Sequence, residues 1–216
     1  MTAALRLEKV SIALAERVLI PTLDLLIAPG EIVTVMGPSG AGKSTLLAYL
    51  SGTLDRVFSA RGRVFLGAEE VTGLRPEQRR IGILFQDDLL FPHLSVGGNL
   101  AFGLSPAVRG APARRARIDA FLAEAGLAGF AARDPATLSG GQRARIALLR
   151  SLIAEPKALL LDEPFNKLDA ALRADFRRFV FDHTLGKGLP VLMVTHDAAD
   201  AEAAGGRLIL LSVADG

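Results

Sequence analysis

MGPSGAGKST, residues 36–45, contains G-x-x-x-x-G-K-[ST], spelled by Gly37, Gly42, Lys43 and Ser44 with a further glycine at Gly40. Before it stands EIVTV (31–35), a short β-branched run, and after it STLLAYLSG (44–52), which has helical spacing and a closing glycine. A strand, a glycine loop and a helix in this order suit the wrapping of a polyphosphate. Glycine lets successive backbone N–H groups turn inward, and the helix presents its positive end to the anion. The candidate nucleotide contacts are therefore Gly37, Pro38, Ser39, Gly40, Ala41, Gly42, Lys43, Ser44 and Thr45. Lys43 would reach the β- and γ-phosphates, with a catalytic share in steadying them, and the Ser44 hydroxyl would ligate Mg²⁺.

Outward from this loop the pattern predicts an α/β fold. Residues 5–14 and 18–27 alternate apolar and polar positions, as half-buried antiparallel strands do, and 62–71 predicts another strand. A short polar helix or turn (76–80) and a buried strand (81–85) lead to Gln86. From there to about residue 155 the pattern is helical, broken by Gly and Pro, with helices over 95–104, 114–125 and 142–154, and a Pro, Ala and Arg stretch over 107–117 that forms a loop into its helix. ALLLD (158–162) is a continuous apolar run suited to a parallel strand buried on both faces. A helix over 170–185, the strand PVLMVT (190–195), a short Ala-rich helix and the strand RLILLSV (207–213) complete an alternation that implies a mostly parallel sheet. The expected organisation is one domain over 1–216, a P-loop core at 1–86 and 156–216 with an N-terminal antiparallel portion and a helical subdomain inserted at about 87–155.

Composition narrows the setting. The chain has 216 residues, half of them hydrophobic, yet no apolar stretch approaches the roughly 20 residues that cross a bilayer. The first ten residues carry charges where an export signal needs an apolar segment, and there is no cysteine, which together fit the cytoplasm. With 25 basic against 23 acidic residues the net charge is +2. Arginines cluster at 114, 115 and 117 and at 143, 145 and 150 without interleaved aromatics, which gives little support to a nucleic-acid groove.

Two further constellations carry chemistry. Asp162 and Glu163 close ALLLD, so both carboxylates emerge at the carboxyl edge of the sheet, where open α/β folds bind ligands. Asp162 would hold Mg²⁺ and Glu163 would take the proton from an attacking water. LSGGQ (138–142) precedes a helix with the apolar face Ile146, Leu149 and Ile153; Ser139 is placed as its N-cap, and Gly140 and Gly141 bare backbone N–H groups at the positive end. One chain needs one γ-phosphate cradle, so a second anion site suits a nucleotide held by another subunit.

With these motifs in hand, nearly the whole chain resembles the nucleotide-binding subunits of ATP-binding-cassette (ABC) transporters. GPSGAGKST matches the Walker A loop, Gln86 the Q-loop glutamine, LSGGQ the signature, LLLDEP the Walker B segment with its glutamate, Leu168-Asp169 the end of the D-loop and His196 the switch histidine. The resemblance implies that two copies bind two ATP head to tail, each γ-phosphate lying between one subunit's Lys43 and the other's Ser139 and Gly141. It implies that Gln86 is linked to the metal, that Asp169 and His196 contact nucleotide, and that His196 helps hold the water against Glu163. The segment 86–104 is similar to the importer branch, in which it receives a membrane permease; Leu89, Leu90, Phe91, Leu94 and Val96 would line that groove. No direct nucleic-acid partner and no transmembrane segment are expected, and the subunit would lie on the inner face of the cell membrane through the permease. Two departures stand out. Leu14 falls where the family carries an aromatic ring for adenine, so it is the candidate base contact, with Phe58 or Phe65 as alternatives. The D-loop reads Asn166-Lys167-Leu168-Asp169 in place of Ser-Ala-Leu-Asp. N-K-x-D is also a guanine-reading motif of GTPases, but here it shares the exit of the Glu163 strand and is joined by LSGGQ, which is foreign to GTPases.

Overall fold

A computed structural model describes residues 3–211, so Ser212 and Val213, the end of the last predicted strand, lie outside the described residues. Strands β1 (Leu5–Leu14) and β2 (Arg17–Ile27) form a hairpin, and β1 also pairs antiparallel with β4 (Phe58–Leu66). The run predicted as one strand over 62–71 is a hairpin that starts earlier. β4 begins at Phe58, opposite Leu14, and turns at residues 67–68 into β5 (Glu69–Glu70). Gly62, which looked like a strand boundary, instead lies within β4 at φ 101 beside a register shift in β1, where Lys9 has φ 49. A Cβ at Gly62 would come within 2.5 Å of the Lys9 carbonyl oxygen, so the bulge needs glycine.

The second sheet has the order β6-β7-β8-β3-β9, from β3 (Ile32–Met36), β6 (Ile81–Leu84), β7 (Ala158–Asp162), β8 (Val191–Thr195) and β9 (Arg207–Leu210). β3 runs parallel to β8 and β9, and β7 parallel to β8. The antiparallel portion is thus a separate sheet. Its apolar face, the β3, β7 and β8 side chains and helix α1 (Lys43–Ser51) share one core that includes Leu7, Ile20, Val35, Leu46, Leu160 and Val194. Each such side chain removed from water contributes about 1.5–3 kcal/mol. β7 and β8 are apolar on both faces because both faces are covered. Met36 pairs with Thr195 and Asp162 with Val194, so the carboxyl ends of β3, β7 and β8 finish level with one another.

The chain divides into two compact units. The first extends to Ile83, takes in Lys157–Glu163 and resumes at Phe181; the second comprises Leu84–Pro156 and Pro164–Val180, the latter a stretch expected in the α/β core. In the second unit lie α2 (Val96–Gly103), α3 (Ala111–Glu124) and α4 (Gly140–Ile153), together with most of α5 (Ala170–Gly186). α6 (Ala198–Ala204) returns to the first. α3 starts three residues before its expected position, because Pro112 within its first turn fits a helix start, where a missing N–H costs nothing. Among the described residues no helix is long and apolar enough to cross a membrane.

A buried cation finishes helix α1. Arg79, 6% exposed, donates from Nη1 to the carbonyls of Tyr49 (2.7 Å) and Leu50 (2.9 Å), from Nε to Leu74 O (3.0 Å) and from Nη2 to Thr72 O. Carbonyls at a helix C-terminus lack intrahelical partners and favour positive charge. Tyr49 O also accepts from Gly52 N (3.2 Å). Arg79→Met should nevertheless take the guanidinium donor from the Leu50, Leu74 and Thr72 carbonyls, lowering stability by about 2–3 kcal/mol, or about 4–12 °C in Tm for a chain of this size. Thermal unfolding followed by circular dichroism checks it, and an unchanged Tm would show that water replaces the guanidinium.

Candidate functional site

The loop between β3 and α1 is built by left-handed glycines, Gly40 at φ 82 and Gly42 at φ 84. At Gly42 an added Cβ would also press on Leu19 and Ile20, 3.1 Å away. Gly42 is the N-cap of α1 and supplies no side-chain acceptor, so the first-turn N–H groups keep their donors for a ligand. Lys43 is 7% exposed and folds back over the loop, its Nζ donating to the carbonyls of Gly37 (2.7 Å) and Pro38 (3.0 Å). An ammonium held this way is already stripped of water and faces the loop interior. Pro38, Ser39, Ala41 and Thr45 lie in the same loop and first turn.

At the next strand end, Asp162 Oδ1 accepts from Ser44 Oγ at 3.1 Å. Burial pushes the Asp162 pKa above its usual value, the neighbouring Glu163 charge adds to this, and the Ser44 hydrogen bond and Lys43 oppose it. The backbone of Glu163 takes φ 47, unusual for a side chain of this kind, and its N–H donates to Val194 O at 2.9 Å. This turn aims the carboxylate at His196, whose Nδ1 lies 2.6 Å from Glu163 Oε2. Oε2 is buried, and the His196 ring is its close polar neighbour. His196 is about half exposed and follows Thr195, whose Oγ1 accepts from Asp197 N at 3.1 Å. Lys43, Ser44, Asp162, Glu163 and His196 are thereby gathered within the first unit.

Among the described residues no group of three or more His, Asp or Glu side chains could hold a metal ion alone. Mg²⁺ does not need one, since it takes one or two protein oxygens and completes its shell with phosphate and water. The Ser44 and Asp162 oxygens fit that demand.

Leu14 is 41% exposed, between Arg17 and Phe58 on the neighbouring strands. Phe65 is 9% exposed and covered by the Arg6 guanidinium 4.0 Å from its centroid, and Phe58 is partly buried against the core, so of the three Leu14 is the most open.

In the second unit, Ser139 caps α4 as its position suggests. Its Oγ accepts from Gln142 N (3.3 Å), and Gln142 Oε1 accepts from Ser139 N (3.0 Å), a reciprocal capping box. A Cβ on Gly140 would meet nothing within 4 Å, so its backbone is open, whereas one on Gly141 would press on Leu172 at 3.2 Å. Asp169 Oδ1 accepts from Leu172 N (3.0 Å) at the start of α5. Gln86 is exposed and lines a cavity of about 230 Å³ with Asp87, Asp88, Arg143, Lys167 and others. Of the residues expected in an apolar groove, Val96 is fully buried while Leu89 is 53% exposed; Phe102, which spacing did not single out, is 72% exposed and edge-on to Phe91, with centroids 4.8 Å apart. The sequence pattern also missed Asn99, fully buried, whose amide donates to the carbonyls of Phe91, Leu94 and Ser95 and accepts from Phe91 N. The arginines after LSGGQ are engaged inside this unit: Arg143 with Asp88, Arg145 with Ala125 O, and Arg150 with Leu89 O.

The profile of the family described as ABC transporter matches residues 20–166. The chain is 50% identical over 196 residues to YnjD of Escherichia coli strain K12, an uncharacterised ABC transporter ATP-binding protein, across 91% of this chain and 90% of that one. It is 46% identical over 193 residues to ThiQ of Cereibacter sphaeroides, a thiamine import ATP-binding protein, across 89% and 81%. Among solved structures it is similar to the dimeric, post-hydrolysis state of the ATP-binding cassette MJ0796 bound to ADP and Pi. The TM-score is 0.81 at 30% identity, over 98% of this chain and 97% of that one.

A carboxyl whose pKa is raised in the fold binds its proton more tightly there than in the unfolded chain. Its ionised form therefore costs stability above the raised value, and that cost vanishes below the ordinary value of 3.8. Without nucleotide or metal, Asp162→Asn should melt at a higher temperature than the parent at pH 7, and the two should converge as pH falls toward the ordinary value. A variant that melts lower at pH 7 would mean that the Asp162 charge is stabilised in the empty fold.

Proposed function

The chain belongs to the ABC transporter family and is an ATP-hydrolysing subunit, and from that premise we propose that it powers a binding-protein-dependent importer as a head-to-tail dimer docked on a membrane permease. The observation that carries the chemistry is the acid pair. Asp162 is tied to the phosphate-loop hydroxyl, and Glu163 is turned toward His196, whose Nδ1 lies 2.6 Å from its buried Oε2.

In the proposed step, water attacks the γ-phosphorus in line with the bond to ADP. Glu163 accepts the water proton, the P–O bond to ADP breaks, and ADP leaves with the bonding electrons. Lys43 exchanges the carbonyls of Gly37 and Pro38 for phosphate oxygens and balances their charge. His196 holds the water or a γ-phosphate oxygen beside Glu163. Ser44 and Asp162 would hold Mg²⁺, which would supply positive charge against that developing on the phosphate; the family resemblance assigns Gln86 to the metal as well. The backbone of residues 37–45 would cradle the phosphates, and Leu14 would lie against the base, where an aliphatic contact gives weak preference between ATP and GTP.

The partner's γ-phosphate is assigned to Ser139, Gly140 and Gly141, with Asp169 nearby. Support comes from the glycine-led starts of α1 and α4, one on each unit, with the Gly140 backbone open, and from the dimeric state of the structural relative. The permease is assigned to residues 86–104, where Leu89 and Phe102 offer apolar surface and Phe102 packs edge-on to Phe91. Import is inferred from relatives such as ThiQ. The working position would be the cytoplasmic face of the membrane, held through the permease.

Glu163→Gln should keep ATP binding and lose turnover by about 10²-fold to 10⁴-fold, the usual worth of a general base. It should also trap an ATP-bound dimer on size-exclusion chromatography. A variant that stays monomeric with saturating ATP would remove the main support for the head-to-tail arrangement.

A further inference from the structure

Arg143, the residue after LSGGQ, bridges two places with one guanidinium. Its Nη1 donates to the carbonyl of Leu138 at 2.8 Å, the residue before the N-cap Ser139. Its Nε donates to Asp88 Oδ2 at 2.9 Å, two residues beyond Gln86. Two turns along the same helix, Arg150 donates to the carbonyls of Leu89 (2.8 Å) and Asp88 (3.2 Å) and lies over the Phe91 ring. Leu89 has φ 45, a conformation that a branched side chain resists and its surroundings must hold. Asp87 meets Nζ of Lys167, from the stretch where the expected Ser-Ala-Leu-Asp reads Asn-Lys-Leu-Asp. Both carboxylates after Gln86 are thus held by cations, one on α4 and one on the loop before Asp169.

The two pairs differ in kind. Lys167 and Asp87 are more than half exposed, so water and salt weaken their attraction. Arg143 and Asp88 are each about one-third exposed, and the guanidinium is fixed at its other end by Leu138. Bonds of 2.8 and 2.9 Å have no slack, and a shift of about an ångström in the Gln86 loop breaks one of them unless α4 follows.

We propose that Arg143 is a positioning residue that makes the loop carrying Gln86 and the N-terminus of α4 move as one body, so that the state of a subunit's own nucleotide site is passed to the turn that serves the partner's nucleotide. Lys167 extends the same body toward Asp169. The inference rests on the head-to-tail reading proposed above. Two sites are coupled only when an element with two arrangements is biased by both, and the Arg143 bridge supplies that shared element.

The test measures ATPase rate against ATP concentration for the parent, Arg143→Met, Asp88→Ala, and the charge swap Asp88→Arg with Arg143→Asp. Asp88→Ala removes the acceptor from a loop position without touching the helix, which covers the chance that Arg143→Met disturbs folding. The parent should show a Hill coefficient approaching about 2, the ceiling for two sites, and both single variants about 1. Binding of a fluorescent ATP analogue to dilute monomer should be unchanged, and the swap should restore cooperativity, which a merely structural defect would not allow. Cooperativity retained by the single variants, or lost and not restored by the swap, overturns the bridge. A parent rate that is first order in protein and hyperbolic in ATP would instead remove the head-to-tail reading, and this inference with it.

Discussion

Two adjacent carboxylates at the end of a strand buried on both faces impose the constraint on which the site depends. Like charges this close raise each other's energy, and burial removes the water that would relieve them. The fold separates them. Asp162 continues along the strand to the Ser44 hydroxyl, while Glu163 adopts a left-handed backbone that swings its carboxylate toward His196. The left-handed backbone at Glu163 and the raised pKa at Asp162 each cost the fold stability.

The sheet makes that separation possible. Because β3, β7 and β8 are parallel and finish in register, the phosphate loop, the acid pair and His196 all leave the sheet at one edge. Parallel pairing needs helical crossovers, which is why the strand interiors read as unbroken apolar runs. Far from that edge, Arg79 closes the other end of α1, so the helix presenting Lys43 and Ser44 is fixed at both termini.

The sequence was most legible where pattern is local. β1 and β7 match their expected ranges because alternation in one and an apolar run in the other mark a face directly. The Ser139 N-cap was readable from Ser followed by Gly-Gly-Gln, since a capping box spans four residues. Legibility failed where one residue serves a partner distant in sequence. Gly62 was mistaken for a boundary because its bulge partner lies in β1, and Arg79 gave no sign of reaching carbonyls about thirty residues earlier. Arg143 and Arg150 read as part of a basic cluster, yet besides the nearby Leu138 carbonyl they reach a carboxylate and carbonyls 55–62 residues away. The φ of Glu163 is set by the ends of β7 and β8, and no local rule announces it.

The central claim is that each hydrolytic centre joins the phosphate loop of one subunit to the signature turn of another. Mixing Lys43→Ala with Ser139→Arg subunits tests it most directly, since each variant alone is expected to be inactive. The mixed dimer would contain one centre with both halves intact and one with both damaged, so ATPase activity should reappear on mixing. If the mixture stays as inactive as its parts, or if Ser139→Arg monomers cannot bind ATP at all, the signature acts within its own subunit and the account is contradicted.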